Sequence, residues 1–412
     1  MAEKKHAVNP KEVEIEYQEL SGALNFDGSK FLPRILKKAL TLEQARLALA
    51  FDMSPEETAS LLSISKEAAE TDAQKYQAEA LAKKFNIGKE TVEKHIQYLF
   101  ELGYAFPTRR GWRWPRSIEQ AKDSQTNPKF DEQLGDEYFD LWEAFQKIES
   151  YPTAILQRIV AGDGLSPRFR IVPARKSLKN NAEIVPEDNI EELVKLYATV
   201  AVEHCPCKRL VRDRACHSPT EVCLIFDRVA EHNLRRGAAR VISVEEAVAI
   251  HDMATDAGLF CMPQSNEAKP TRATMICHCH WCCCDPIAST IMLNYPLQKT
   301  VAPSCYLAVV NPDKCTGCQL CVTRCQFGAI EMKRYLGAGR QEKSKAWVNP
   351  EKCMGCGLCV TKCPAEARTM MMVKTGESIP KESAVPSAYT AERHRRSGKH
   401  IETGSVMTRS VY

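Results

Sequence analysis

No cysteine occurs in the first 204 residues of this 412-residue chain; all 19 fall from Cys205 onward. An odd count in short-spaced groups excludes a simple disulfide framework. No run approaches the ~18–20 apolar residues that a membrane span needs. Behind Met1 the chain is charged and polar, without the apolar stretch of a secretory signal. There is no glycine-rich phosphate loop and no nucleotide or flavin fingerprint, so nothing marks a substrate pocket of those kinds. Nor does one charge dominate: 56 basic against 52 acidic residues leave +4, which by itself points neither toward nor away from nucleic acid. The setting these absences imply is a reducing, cytoplasmic one, where clustered thiolates mean metal.

What is present divides the chain, with a length that allows two or three domains. The expected class is α+β. Residues 1–30 are polar and weakly periodic, and read as a flexible arm. Residues 31–120 carry a helical pattern that ends in a hairpin. Ser54-Pro55-Glu56-Glu57 is a helix start, with an N-cap serine, a first-turn proline and two acids at the positive helix end. A second helix runs from Lys89 to Gly103 with Val92, Ile96, Leu99 and Leu102 on one side, closed by glycine. Tyr104 to Trp114 then reads as a hairpin turning at Arg110-Gly111. Helix, turn, helix and hairpin resemble a winged helix. On that resemblance Lys89, Lys94 and His95 would face DNA, with Arg109, Arg110 and Arg113 on the wing. Glu90 and Glu93 make that face mixed, and Trp112 and Trp114 suit protein contacts better.

Residues 121–168 are expected to form a helical linker under the next domain. Residues 169–302 form a cysteine-rich metal domain opening on a strand at Phe169–Pro173. An amphipathic helix over Asn189–Val202 is expected to deliver its first cysteines. Ser243-Val-Glu-Glu246 starts a further helix. Residues 303–375 form a two-cluster domain, and 376–412 a basic tail. From residue 301 onward 17 basic residues face 9 acidic ones, a balance of +8. Such a surface suits a partner redox protein with an acidic docking face.

Cys315, Cys318, Cys321 and Cys325, and again Cys353, Cys356, Cys359 and Cys363, share one spacing, C-x2-C-x2-C-x3-C. This is an internal duplication. Three cysteines spaced by two wrap one face of a cubane, and the fourth serves the other cluster. The reading is therefore two [4Fe–4S] clusters, one on Cys315, Cys318, Cys321 and Cys363, the other on Cys353, Cys356, Cys359 and Cys325. Gly317 and Gly355 let the loops turn tightly. Residues 303–373 thus resemble a bacterial two-cluster ferredoxin module, with two departures. Gln326 stands where proline usually follows the fourth cysteine, and the segment between motifs is long and basic (Lys333, Arg334, Arg340, Lys343, Lys345).

The central region holds Cys205-Pro-Cys207, Cys216-His217, Cys223 and Cys261. It ends in the block Cys277-His278-Cys279-His280-Trp281-Cys282-Cys283-Cys284. Cys205, Cys207, Cys216 and Cys223 are expected to hold a third [4Fe–4S] cluster. Cys277, Cys279, Cys282, Cys283 and Cys284 would hold a further metal centre, with Cys261 or a histidine. Zinc is the alternative in either place. Adjacent cysteines cannot all reach one cubane, so some of Cys282–Cys284 must be spare or belong to a second centre. Cys305 reads as a buried thiol. Residues 169–373 resemble multi-cluster ferredoxin-like proteins of anaerobes, which carry a CxCR segment and a CNCCxCCC-like block. Relative to that block His278, His280 and Trp281 replace Asn, Cys and a small residue, so one thiol has become an imidazole.

Three functions arise as expectations: a component relaying low-potential electrons to a partner oxidoreductase, a redox- or iron-sensing winged-helix regulator binding DNA through residues 31–115, and an oxidoreductase with its centre in 277–284. The first is favoured, because a sensor rarely needs two closely coupled cubanes.

Overall fold

The computed structural model describes residues 13–161, 167, 169–212, 216–264, 273–336 and 342–375. The basic tail and Arg340, both named in the sequence reading, lie outside the described residues.

The N-terminal unit is built from helices α1 (Ile15–Ala23), α2 (Leu32–Ala39), α3 (Leu42–Leu49), α4 (Pro55–Leu62), α5 (Lys66–Thr71), α6 (Ala73–Phe85) and α7 (Lys89–Leu102). A hairpin of β1 (Phe106–Thr108) and β2 (Gly111–Arg113) follows. Ser54 caps α4 in a full capping box with Glu57, and Gly103 closes α7 at φ 91°, as the sequence signals require. Residues 13–30 are not a loose arm. α1 buries Tyr17 and Leu20 in the common core, and the Tyr17 hydroxyl donates to the Leu40 carbonyl at 2.9 Å. The polar appearance of this stretch misled because its apolar residues are few, yet Tyr17, Leu20, Leu24 and Phe26 are buried while Ile15 stays exposed.

The expected linker is also core. α8 (Ile118–Asp123), α9 (Asp131–Phe145) and α10 (Tyr151–Ala161) follow the hairpin, and Phe130, Tyr138, Trp142, Phe145 and Ala154 pack among the side chains of α1 to α7. Each such fully buried large side chain contributes about 1.5–3 kcal/mol. Trp114 stacks on Tyr104 at 5.2 Å and Trp112 packs edge-on against Phe100 at 5.8 Å, so the hairpin tryptophans make internal contacts. Buried Gln77 holds the hairpin backbone, donating to the Trp112 carbonyl and accepting from its N–H.

The central unit is a seven-stranded sheet. Its chain order is β3 (Phe169–Arg170), α11 (Ile190–Val194), β4 (Val200–His204), α12 (Pro206–Val211), β5 (Glu221–Phe226), α13 (Asp227–Arg235) and β6 (Ala239–Val241). Then come α14 (Val244–Asp256), β7 (Phe260–Gln264), β8 (Met275–Cys279), α15 (Asp285–Met292) and β9 (Val301–Ala302). The spatial order is β6-β4-β5-β8-β7-β3-β9, antiparallel except for the β3–β9 pair. The helix expected over 189–202 stops at Val194. Val200-Ala-Val is β-branched and buried between two strands, so it extends, and a strand delivers Cys205.

The C-terminal unit has β10 (Tyr306–Val310), α16 (Leu320–Arg324), β11 (Ile330–Leu336), β12 (Glu342–Val348), α17 (Leu358–Thr361) and β13 (Arg368–Met372). β10 pairs with β13, and β11 with β12. The basic segment between motifs is therefore mostly a β-ribbon. No helix among the described residues is long and apolar enough to cross a membrane.

Candidate metal centres

The two C-terminal motifs fold alike because their local signals are alike. Asn311 accepts from the N–H groups of Asp313 and Lys314, and Asn349 from that of Glu351. Cys315 N–H bonds the Asn311 carbonyl and Cys353 N–H the Asn349 carbonyl, both at 3.1 Å. Gln319 and Gly357 take the same left-handed conformation ahead of α16 and α17. Two glycines are forced by close approach. A Cβ on Gly317 would lie 2.4 Å from the Ser344 carbonyl oxygen, and one on Gly355 2.2 Å from that of Tyr306.

Cys315, Cys318, Cys321 and Cys363 line one cavity of about 340 Å³, open beside the exposed Cys318. Buried Arg368 donates to the Cys321 sulfur at 2.9 Å. Cys356 and Cys359 lie deeper. Burial raises both thiols, Cys359 to about 12, and each is further raised by Cys325 and Cys353 nearby. The second group is thus Cys325, Cys353, Cys356 and Cys359.

The second motif is seated on the central sheet. Ala174 N–H bonds the Cys356 carbonyl at 2.9 Å, and Ser304 N–H bonds that of Met354 at 3.1 Å. Phe260 and Phe327 meet at 5.1 Å. Gln326, the departure from proline, bridges the two units: its amide donates to the Gly258 carbonyl and its oxygen accepts from Trp281 N–H at 2.9 Å. Trp281 is 47% exposed and lines neither the first-motif cavity nor that of the central cysteines.

In the central unit the cysteines regroup. Cys205, Cys207, Cys223, Cys277, Cys279 and Cys284 line one cavity of about 460 Å³. Cys216 is not with Cys205, Cys207 and Cys223; its sulfur lies within 4.8 Å of those of Cys282 and Cys283. The contiguous block is split by strand geometry. Side chains alternate on β8, so Cys277 and Cys279 face the cavity, while His278 faces α14. That period-2 signal was present in the sequence; the sheet that gives it meaning was not.

The cavity sulfurs form a network. Cys207 and Cys223 donate to Cys205 and hold its pKa well below the ordinary thiol value. Cys223 and Cys279 do the same for Cys277, bringing it to about 6. α8, from the N-terminal unit, closes this cavity with Glu119, Lys122 and Asp123. Lys122 is 4% exposed, and its Nζ lies 3.2 Å from the Cys207 sulfur and 3.2 Å from Asp285 Oδ2. Burial opposes its charge, but Asp123, Cys207, Tyr151 and Asp285 outweigh it and hold the pKa well above the usual lysine value. Sequence reasoning missed Lys122, since nothing in α8 signals that a distant cavity needs a cation.

A third group, His251, Cys261 and His278, is fully buried. Its imidazoles are satisfied without an ion. Arg175 N–H donates to His251 Nε2 at 3.2 Å, which leaves His251 Nδ1–H to donate to His278 Nε2 at 3.1 Å. His278 Nδ1–H in turn donates to the Val222 carbonyl at 2.7 Å. Burial lowers both imidazoles, His278 to about 4, so both are neutral at pH 7. Cys305 is buried, its N–H donating to Asp188 beside Arg170.

Against known proteins, residues 308–367 match the family model of the 4Fe-4S dicluster domain. No curated protein and no solved structure matches the chain.

Proposed function

We propose that this protein relays low-potential electrons through several [4Fe–4S] clusters to a partner oxidoreductase. The C-terminal part is a ferredoxin-type iron–sulfur module, which supports iron–sulfur electron transfer in general. The observation that carries the reading is the convergence of Cys315, Cys318 and Cys321 from one motif with Cys363 from the other on a single cavity. When bound, a [4Fe–4S] cluster takes up and returns single electrons. The chain's own residues insulate and aim it. In this reading Cys325, Cys353, Cys356 and Cys359 hold the inner cluster and the Cys318 side forms the outlet. The donor set of the six-thiol cavity also fits a cluster: thiolates only, with Lys122 to offset their charge. Buried apolar side chains Phe260, Met354 and Leu358 share one hydrophobic cluster with Cys279 and Cys284 of that cavity and with Cys356.

Around the outlet the ribbon β11–β12 carries Lys333, Arg334 and Lys345, and Lys345 Nζ donates to the Cys315 carbonyl. An acidic docking surface on the partner fits these charges. The winged-helix-like N-terminal unit serves here as a scaffold. Lys89 is paired with Glu79 and Glu93, and His95 with Glu43, so the face expected to meet DNA is largely neutralised.

A second reading, an enzyme, is favoured by one observation. The six-thiol cavity carries Glu119, Lys122, Asp123 and Tyr151 on its wall, groups able to move protons beside a redox centre.

The deciding experiment is iron and acid-labile sulfide per chain after anaerobic purification, with electron paramagnetic resonance of the reduced protein. The module alone requires about eight of each and two interacting paramagnets. Zinc with no labile sulfide would overturn the relay.

A further inference from the structure

Cys216, Cys282 and Cys283 are left over once the six cavity thiols are grouped, and they are not scattered. Their sulfurs lie within 4.8 Å of one another. His280 brings its Nδ1 to 3.0 Å from the Cys282 sulfur. We propose that Cys216, Cys282 and Cys283 hold a mononuclear zinc ion, with His280 turning in from the same loop as its fourth ligand, separate from any iron–sulfur cluster.

Spacing argues for one ion. With Zn–S bonds of ~2.3 Å, tetrahedral thiolates stand ~3.8 Å apart. A cubane holds its thiolates farther apart, because four irons and their sulfides lie between them. Three sulfurs all within 4.8 Å of one another fit a single ion, and among the described residues the six cavity thiols contain no such mutual triad. Three thiolates and one imidazole are also a donor set that zinc takes in structural sites.

The surroundings are those of ligands held in position. Ser218 Oγ donates to the Cys216 sulfur at 2.8 Å, and Cys216 N–H donates to the Cys282 sulfur at 3.3 Å. Such outer hydrogen bonds orient thiolates and stabilise their charge. The ligands lie on two separate segments, Cys216 ahead of β5 and the other three on the turn leading into α15. In that turn the N–H groups of Cys283 and Cys284 both bond the His280 carbonyl. An ion held there fixes the turn, and with it Cys284 on the wall of the neighbouring cavity. The site is therefore a clasp beside the six-thiol cavity.

The site goes beyond the relay reading, and the two fail separately, because clusters are read by labile sulfide and this site is not. The test uses the full-length protein with its clusters intact, freed of zinc and titrated with Co²⁺. About one Co²⁺ per chain should bind with thiolate charge-transfer and tetrahedral d–d bands, leaving labile sulfide unchanged. C216S and C282S should each weaken Co²⁺ binding at least tenfold without loss of sulfide. H280C should keep the stoichiometry and shift the d–d bands. Loss of labile sulfide in C216S or C282S would assign these thiols to a cluster and overturn the proposal. So would the absence of thiolate–cobalt bands, or binding unchanged in all three variants. Should C282S not fold, C216S lies on the other segment and carries the same test.

Discussion

In the 308–367 module, three cysteines of each motif sit on one short loop, and the loop's own hydrogen bonds shape the site. In the central unit, six cysteines reach one cavity from the β4–α12 corner, β5, β8 and the turn before α15. The first arrangement is local and repeats wherever its motif repeats. The second exists only when the sheet is paired, so spacing along the chain says little about which thiols meet. Cys216 makes the difference plain: it lies closer in sequence to Cys207 and Cys223 than to Cys282, yet its sulfur meets those of Cys282 and Cys283. The two regions differ in exposure as well. Cys318 is exposed at the module's surface, whereas Cys205, Cys223, Cys279 and Cys284 are buried under α8.

The strongest way to break this comparison is at Cys277, whose thiol lies between those of Cys223 and Cys279. Cys277→Ser should remove the central centre, lowering iron and labile sulfide while the module's paramagnetic signals persist. If only the module's signals vanished, the central cavity would not be a cluster site.

Next in size is Cys325→Ala. It should abolish the cluster of the second motif and spare that of the first, because Cys325 sits with Cys353, Cys356 and Cys359. Resonance spectra that lose the first-motif cluster instead would reverse the ligand assignment.

Gln326→Ala removes both hydrogen bonds that tie the module to Gly258 and Trp281. The cost should be about 1–3 kcal/mol at two bonds of ordinary strength. Chemical denaturation of the cluster-loaded protein would measure it, with cluster content unchanged. A module that is independent of the central sheet would show no loss.

The smallest effect concerns the outlet. Reversing Lys333, Arg334 and Lys345 to Glu should slow electron transfer to an acidic redox partner several-fold at low salt. The difference should shrink once the Debye length falls to ~10 Å or less. Transfer indifferent to salt, with tight binding to one duplex sequence, would instead favour a regulator.

How far the residues alone led is set by the same contrast. The module was legible because C-x2-C-x2-C-x3-C is a chain-local geometry, and the caps at Ser54, Ser243 and Gly103 were legible for the same reason. Gln326 was visible as a departure, but its partners, Gly258 and Trp281, lie far away in the chain. The 189–202 segment misread as helix because its β-branched end looked amphipathic until two neighbouring strands claimed it. The stretch before α2 misread as an arm, since its sparse apolar residues reveal themselves only once Tyr17, Leu20, Leu24 and Phe26 join the common core.

By itself, then, the sequence determined the duplicated cluster loops, the helix ends and a cysteine-rich second half, all of which rest on interactions within a few residues. Only the tertiary structure decided which central thiols share a cavity, that Lys122 closes it, and that His278 turns away to His251. Those outcomes depend on strand pairing. Alternation on β8 sends neighbouring side chains to opposite faces of the sheet, and the sheet then joins each face to residues far off in the chain.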